Sequence, residues 1–257
     1  MKFSKKSPVK IVLLGAGGTG GYIAPHLYRI ASGAERPVQI VICDGDICEE
    51  KNLIRQNFVE QDIGRNKAAV LAQRYSAAFG VTCYYKPDYV ESISQLYDLI
   101  SPEYIRNPYH EFRLEAQRVV LIGAVDNNQS RKLCHEAFCQ ACDLIYIDAG
   151  NGKETGQVVC GVRQKWRTLF KPVASLYPDI LQPEDKFPTE LSCAERAVSA
   201  PQSVAANLMA ATVVACYLYR LLIAGEIKTR SAVFSSTLIG VQPHIVTRRK
   251  SSGSKAA

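Results

Sequence analysis

The sequence predicts an α/β fold with a mainly parallel sheet, and three observations carry that expectation. Short apolar runs alternate with segments of helical period. The first run, Val9–Leu14, passes directly into a glycine-rich stretch, Gly15-Ala16-Gly17-Gly18-Thr19-Gly20-Gly21. The second, Val38–Cys43, ends at an acid, Asp44, about one βαβ unit further on. Continuous apolar runs suit strands covered on both faces, and strands that alternate with helices imply a sheet with helices on each side. The pattern is Rossmann-like, with an antiparallel extension towards the C-terminus.

Each element follows from its residues. Val9–Leu14 is the first strand, and Tyr22–Ala31 is a helix that tolerates Pro25 in its first turn. Val38–Cys43 is the second strand. Asn66–Phe79 is a helix with Ala69, Leu71, Ala72 and Tyr75 on its inner face, and Val81–Lys86 is the third strand. Arg118–Ala124 is the fourth strand, with Asp126 just beyond it, followed by a helix at Ser130–Cys142 and a fifth strand at Leu144–Asp148. The character then changes. Gly156–Val162 reads as an edge strand, and Arg167–Leu191, rich in proline and charge, as a long surface connection. Pro201–Ile223 is a long helix, and Ala232–Leu238 and Gln242–Arg248 form a hairpin around Gly240. Residues 1–7 and the tail Thr247–Ala257 read as frayed ends. One domain spanning 1–257 is expected, with a nucleotide-binding half at 1–150. Residues 151–250 supply a crossover loop, the long helix and the last strands.

The bulk composition narrows the class. With 257 residues, 47% hydrophobic and 21% charged, the chain reads as globular rather than disordered. The net charge of +7 is partly terminal. It is read either as a solubilising excess or as attraction to an acidic partner or anionic substrate, and no specific nucleic-acid binding is predicted. No apolar segment approaches the ~20 residues of a membrane span. The most apolar stretch, Val204–Ala224, contains Asn207, Thr212 and Arg220 and reads as a buried helix, so no membrane partner is expected. No secretory signal is visible, and the nine cysteines are expected as free thiols in a reducing cytoplasm.

The glycine stretch is a candidate phosphate cradle. A strand, a glycine turn and a helix start bring free backbone N–H groups and a positive helix end to one point. Glycine lets the backbone approach the ligand closely. Asp44 stands where a ribose hydroxyl is bonded in dinucleotide folds. To this point an NAD(P)-dependent oxidoreductase fits equally well.

Three further clusters separate the readings. The first runs from Asp44 to Gln56 and holds Asn52, Arg55 and Gln56; the second is Gly64-Arg-Asn-Lys67-Ala68; the third runs from Ala124 to Arg131 and holds Asp126 and Asn127. Their chemistry suits a triphosphate. Lys67 at a helix start neutralises phosphate, and Arg55 offers a guanidinium fork. Asp126 lies at the carboxyl edge of a strand, where a carboxylate can hold Mg²⁺ against phosphate oxygens. Together they suit in-line attack on an α-phosphate. Each also has a plainer role: Arg55 and Lys67 as surface charges, Asn52 and Asn127 as turn or cap residues.

These blocks resemble the ThiF/MoeB/HesA family, relatives of the ubiquitin-activating enzymes, over roughly Val9 to Ile223. A weaker similarity is to the ThiF-related family of the PRTRC gene cassette. The resemblance implies ATP- and magnesium-dependent adenylation of the C-terminal carboxylate of a small ubiquitin-like or sulfur-carrier protein by a homodimer. It implies that Gly15, Gly17, Gly18 and Gly20 line the phosphates and Asp44 holds the ribose. Asn52, Arg55, Gln56 and Lys67 would position the triphosphate, and Asp126 would bind Mg²⁺ with Asn127 beside it. Cys193, after the proline-rich connection, matches a family cysteine that in some members accepts the acyl group; a packed cysteine is the alternative.

Two departures stand out. The paired Cys-x-x-Cys zinc ligands of many members are missing, Cys139-x-x-Cys142 is read as packing, and no structural zinc is expected. Only about eight residues precede the first strand, so an arginine that relatives place on an N-terminal helix comes from elsewhere or is missing. That departure supports the rival reading of a nucleotide-binding scaffold subunit without turnover. His26, His110, His135 and His244 share no ligand-like spacing.

Overall fold

The computed structural model describes residues 1–182, 186–190 and 202–245. Among these, nine strands form one sheet. Its parallel part is built from β1 (Val9–Leu14), β2 (Val38–Cys43), β3 (Cys83–Lys86), β6 (Arg118–Gly123) and β7 (Leu144–Asn151). The order across it is β7-β6-β1-β2-β3. β8 (Thr155–Gln164) pairs antiparallel with β7, β9 (Arg167–Phe170) pairs with β8, and the hairpin of β10 (Thr229–Ser235) and β11 (Gly240–Ile245) extends the sheet beyond β8. β4 (Tyr104–Asn107) and β5 (Arg113–Ala116) form a separate hairpin.

Strand periodicity divides the core between the two faces. Ile11, Leu13, Ile40, Ile42, Val120 and Ile122 enter one hydrophobic cluster, under α1 (Gly18–Ser32), α2 (Lys67–Phe79) and α5 (Val204–Tyr219). Their neighbours Val12, Leu14, Val41, Val119 and Leu121 enter the other, under α3 (Ile93–Ile100) and α4 (Asn128–Gln140). The apolar α5 packs on α1, β7, β8 and β10, so its composition serves the core. β1 is flanked by β2 on one side and β6 on the other, and this reversal of strand order opens a crevice at their carboxyl ends.

Several expectations need correction. α1 begins at Gly18 rather than Tyr22, because the second half of the glycine run forms its first turn. β8 is no edge: it is hydrogen-bonded to β7 on one side and β10 on the other, which buries Val158–Gly161. The expected surface connection carries β9 and short 3₁₀ turns whose Val173, Ala174 and Ile180 are buried against the α4 side of the core. The regular part of the long helix ends at Tyr219. A π-helical turn, Arg220–Ala224, continues it to Gly225, whose φ of 74° closes it. The N-terminus is not frayed. The Met1 ammonium donates to the Ile227 carbonyl at 2.6 Å, Phe3 N–H donates to Gly225 O, and Phe3 is buried. Pro201, Cys193 and the predicted tail Thr247–Ala257 lie outside the described residues.

Candidate functional site

The glycine loop sits at the crevice, and each glycine is bare for its own reason. Gly15 has φ 95° and lies against the Ala124 carbonyl, so a side chain there is both strained and obstructed. A Cβ on Gly20 would run into the Gly15 carbonyl. A Cβ on Gly18 would lie 2.5 Å from Asn207 Nδ2, so this glycine admits α5. Only Gly17, the N-cap of α1, faces open space, with Gln56 Nε2 3.9 Å from its hypothetical Cβ. Among the described residues no side chain caps α1, and its first turn carries no acid, an arrangement that leaves its leading N–H groups to an anion.

The first and third predicted blocks touch this loop, through Asp44, Gln56 and Ala124, and the second is tied to it through the Asp44–Asp46 turn. Asp44 follows β2; its Oδ2 accepts the Ala16 N–H at 2.5 Å and its Oδ1 accepts the Asp46 N–H at 2.8 Å. Each carboxylate oxygen keeps a second lone pair for a sugar hydroxyl. Burial, reinforced by the neighbouring Asp46, raises the Asp44 carboxyl to about 6 against the pull of Lys67 and the two N–H donors. Gln56 is buried beside Gly17, with its Oε1 unpartnered among the described residues. Asn57 Nδ2 donates to the Gly21 carbonyl at 2.9 Å and fastens the Arg55 loop to α1. Arg55 donates from Nη1 to Gln202 Oε1 at 3.3 Å.

Lys67 opens α2 with its side chain 5% exposed and Nζ 2.9 Å from Asp46 Oδ2. Tyr89 donates its hydroxyl to the other Asp46 oxygen. The cation therefore reaches the site already paired, and a phosphate would share it with Asp46. Asn66 caps α2 by accepting the Ala69 N–H, and its amide donates to the carbonyls of Asp44 and Asp46. Asn52 and Asn127 both have cap duties: Asn52 Oδ1 accepts the Glu49 N–H, and Asn127 accepts the Ser130 N–H at the start of α4. Asp126 precedes that cap, exposed at the carboxyl edge of β6.

Sequence reasoning missed a second layer. Asp148 on β7 is fully buried; its Oδ2 accepts the Tyr146 hydroxyl at 2.7 Å and stands 3.5 Å from Arg131 Nε. Burial raises its carboxyl, opposed by Arg131 and Tyr146. Arg131 in turn donates to the Val125 carbonyl at 2.6 Å, next to Asp126. Asn151 and Asn207 join α5 to the loop. The sequence carried two signals for this layer: Arg131 at the end of the third cluster and one amide in an apolar helix.

A glycine loop opening a helix at the switch point of a doubly wound sheet, with an acid at the end of the neighbouring strand, is the arrangement of a nucleotide-binding α/β protein. The chain belongs to the ThiF family, whose model matches residues 3–252. Solved structures similar in fold include E. coli MccB with ATP (18% identity, TM-score 0.62, covering 95% of this chain and 65% of that one). E. coli MccB with AMPCPP and MccA (18%, 0.62, 93% and 64%) and PaaA (15%, 0.62, 92% and 64%) are also similar. The chain thus spans just under two thirds of their length. No curated protein sequence matches it.

Proposed function

We propose that the protein is an ATP-dependent adenylating enzyme acting on the carboxylate of a polypeptide, and more finely on the C-terminus of a ubiquitin-like or sulfur-carrier protein. The observation that carries this reading is the placement of Asp44, Arg55, Gln56 and Asp126 on loops, and of Lys67 at the start of α2, at the carboxyl end of the sheet beside the glycine loop; a dinucleotide would leave Arg55, Lys67 and Asp126 without work. ThiF family membership supports it, and MccB, similar in fold, is named with ATP and with MccA.

In the proposed reaction a substrate carboxylate oxygen attacks the α-phosphorus. The bond from that phosphorus to the bridging oxygen breaks, pyrophosphate leaves, and an acyl-adenylate forms. The α1 N–H groups, Arg55 and Lys67 take up the charge that develops on the phosphates. Asp44 holds the ribose. Mg²⁺ is ordinarily bound by one or two carboxylates plus phosphate oxygens and water. No group of three or more His, Cys, Asp or Glu gathers among the described residues, and the exposed Asp126 fits an ion that arrives with its nucleotide. Asp126 would hold that ion, which screens the phosphate charge when bound. The thiolate of Cys193 is proposed to attack the acyl carbon next, forming a thioester and releasing AMP. A homodimer is the proposed assembly.

Thermal shift and ATP–pyrophosphate exchange test the reading. Mg·ATP is expected to raise Tm where NAD⁺ does not, and a candidate substrate protein to support exchange that Arg55→Ala abolishes. Stabilisation by NAD⁺ alone overturns the proposal. Nucleotide binding with no exchange for any polypeptide carboxylate leaves a scaffold instead. A thioester lost in Cys193→Ser would establish the second step.

A further inference from the structure

Helix α5 is mostly apolar, and its one side-chain amide, Asn207, lies where the helix meets the glycine loop. Asn207 lies on its first turns, fully buried. A buried amide without partners costs about 1–3 kcal/mol, yet here both its polar atoms are engaged. Its Oδ1 accepts from Asn151 Nδ2 at 2.9 Å and stands 3.3 Å from the Thr19 hydroxyl. Thr19 also donates to Asn151 Oδ1 at 2.9 Å. Asn207 Nδ2 donates to the backbone carbonyl of Arg55 at 3.2 Å. One amide thus joins four segments: the first turn of α1, the end of β7, the start of α5 and the Arg55 loop.

The same turn holds Arg55 a second time. Gln202, just before the Ser203 N-cap, accepts from the Arg55 guanidinium at 3.3 Å. Peptide and side chain of Arg55 are therefore gripped from one place, and Gly18 leaves the space, since its Cβ would lie 2.5 Å from Asn207 Nδ2 and 2.9 Å from Gln202 Oε1. We propose that Asn207 is a positioning residue, which sets the direction of Arg55 towards the bound triphosphate and couples it to the glycine loop. This inference rests on the nucleotide reading above.

The test is a double-mutant cycle in the full chain, read as the dissociation constant of Mg·MANT-ATP. Asn207→Ser is expected to weaken binding about tenfold, the scale of one lost buried hydrogen bond. In an Arg55→Ala background the same substitution should change it less than about twofold, because the residue it acts through is gone. Asn151→Ala, which removes the donor that orients Asn207 and the acceptor of the Thr19 hydroxyl but leaves α5 intact, should reproduce part of the loss if Asn207→Ser folds poorly. Amide hydrogen exchange of the nucleotide-free protein should quicken at residues 52–58 and not in β1. Equal losses in both backgrounds, or unchanged exchange at 52–58, overturn the inference while the nucleotide reading stands. Failure of the wild-type protein to bind Mg·MANT-ATP overturns both.

Discussion

Asp44 shows how much one side chain's role depends on its surroundings. Its carboxyl is raised from 3.8 to about 6, first by burial and then by Asp46. The folded protein thus binds this proton more readily than the unfolded chain, so the group's stabilising share is present below pH 3.8 and lost as pH rises through about 6. Function runs the other way, because the ionised form is the one that accepts ribose hydroxyls. Mg·ATP affinity, measured by titration calorimetry, is expected to fall as pH drops through about 6, and Asp44→Asn should remove that step. An identical profile in the variant would exclude Asp44 as its source. Asp44, Arg55 and Lys67 stood out in the sequence because each is a charged residue at a recognisable place, the end of a strand, the loop after it or the start of a helix. Asp46, Asp148 and Arg131 had no role from the sequence, since their meaning lies in partners that only the fold supplies: Asp46 meets Tyr89, and Asp148 on β7 meets Arg131 on α4.

At the scale of elements, helix starts build the site. α2 begins at Asn66, whose oxygen caps the helix while its amide ties the Asp44–Asp46 turn. α3 begins at Ser92, whose hydroxyl caps by accepting the Gln95 N–H while Gln95 reaches back to the Ser92 N–H. Loss of either cap should cost about 1 kcal/mol, measured by urea unfolding. The two should differ in binding. Asn66→Ala loosens the ribose acid and Lys67 and should weaken Mg·MANT-ATP binding severalfold; Ser92→Ala should leave it unchanged. Equal effects on affinity would mean that the α2 cap serves stability alone. The element readings failed where the signal was weakest. The buried strand β8 reads like an edge strand until its β10 partner is known. α3 and the β4–β5 hairpin are short pieces whose patterns fall within the noise of a loop, and no element was assigned there.

The whole molecule divides its work between the two ends of the parallel sheet. The carboxyl ends carry the candidate site. The amino ends are closed by the first residues of the chain, which composition alone had marked as frayed. Phe3 is 4% exposed and lies under two guanidinium groups, Arg36 at 5.3 Å and Arg118 at 5.5 Å from its ring centre. Arg36 is itself buried, with Nε and Nη2 unpartnered among the described residues, and burial lowers its pKa to about 10. The ring face is therefore part of what makes this buried cation tolerable. Phe3→Ala removes the ring, leaves a cavity and exposes Arg36 to water. The expected loss is about 3 kcal/mol, the lower end for a buried Phe, since water reaching Arg36 returns part of the cost. Mg·MANT-ATP affinity of the folded variant should stay within about twofold, because packing at the amino ends touches none of the carboxyl-end loops. Urea unfolding beside a binding titration checks both halves. A variant that keeps its stability denies Phe3 this closing role, and one that loses affinity in step with stability denies that the two ends of the sheet are energetically separate.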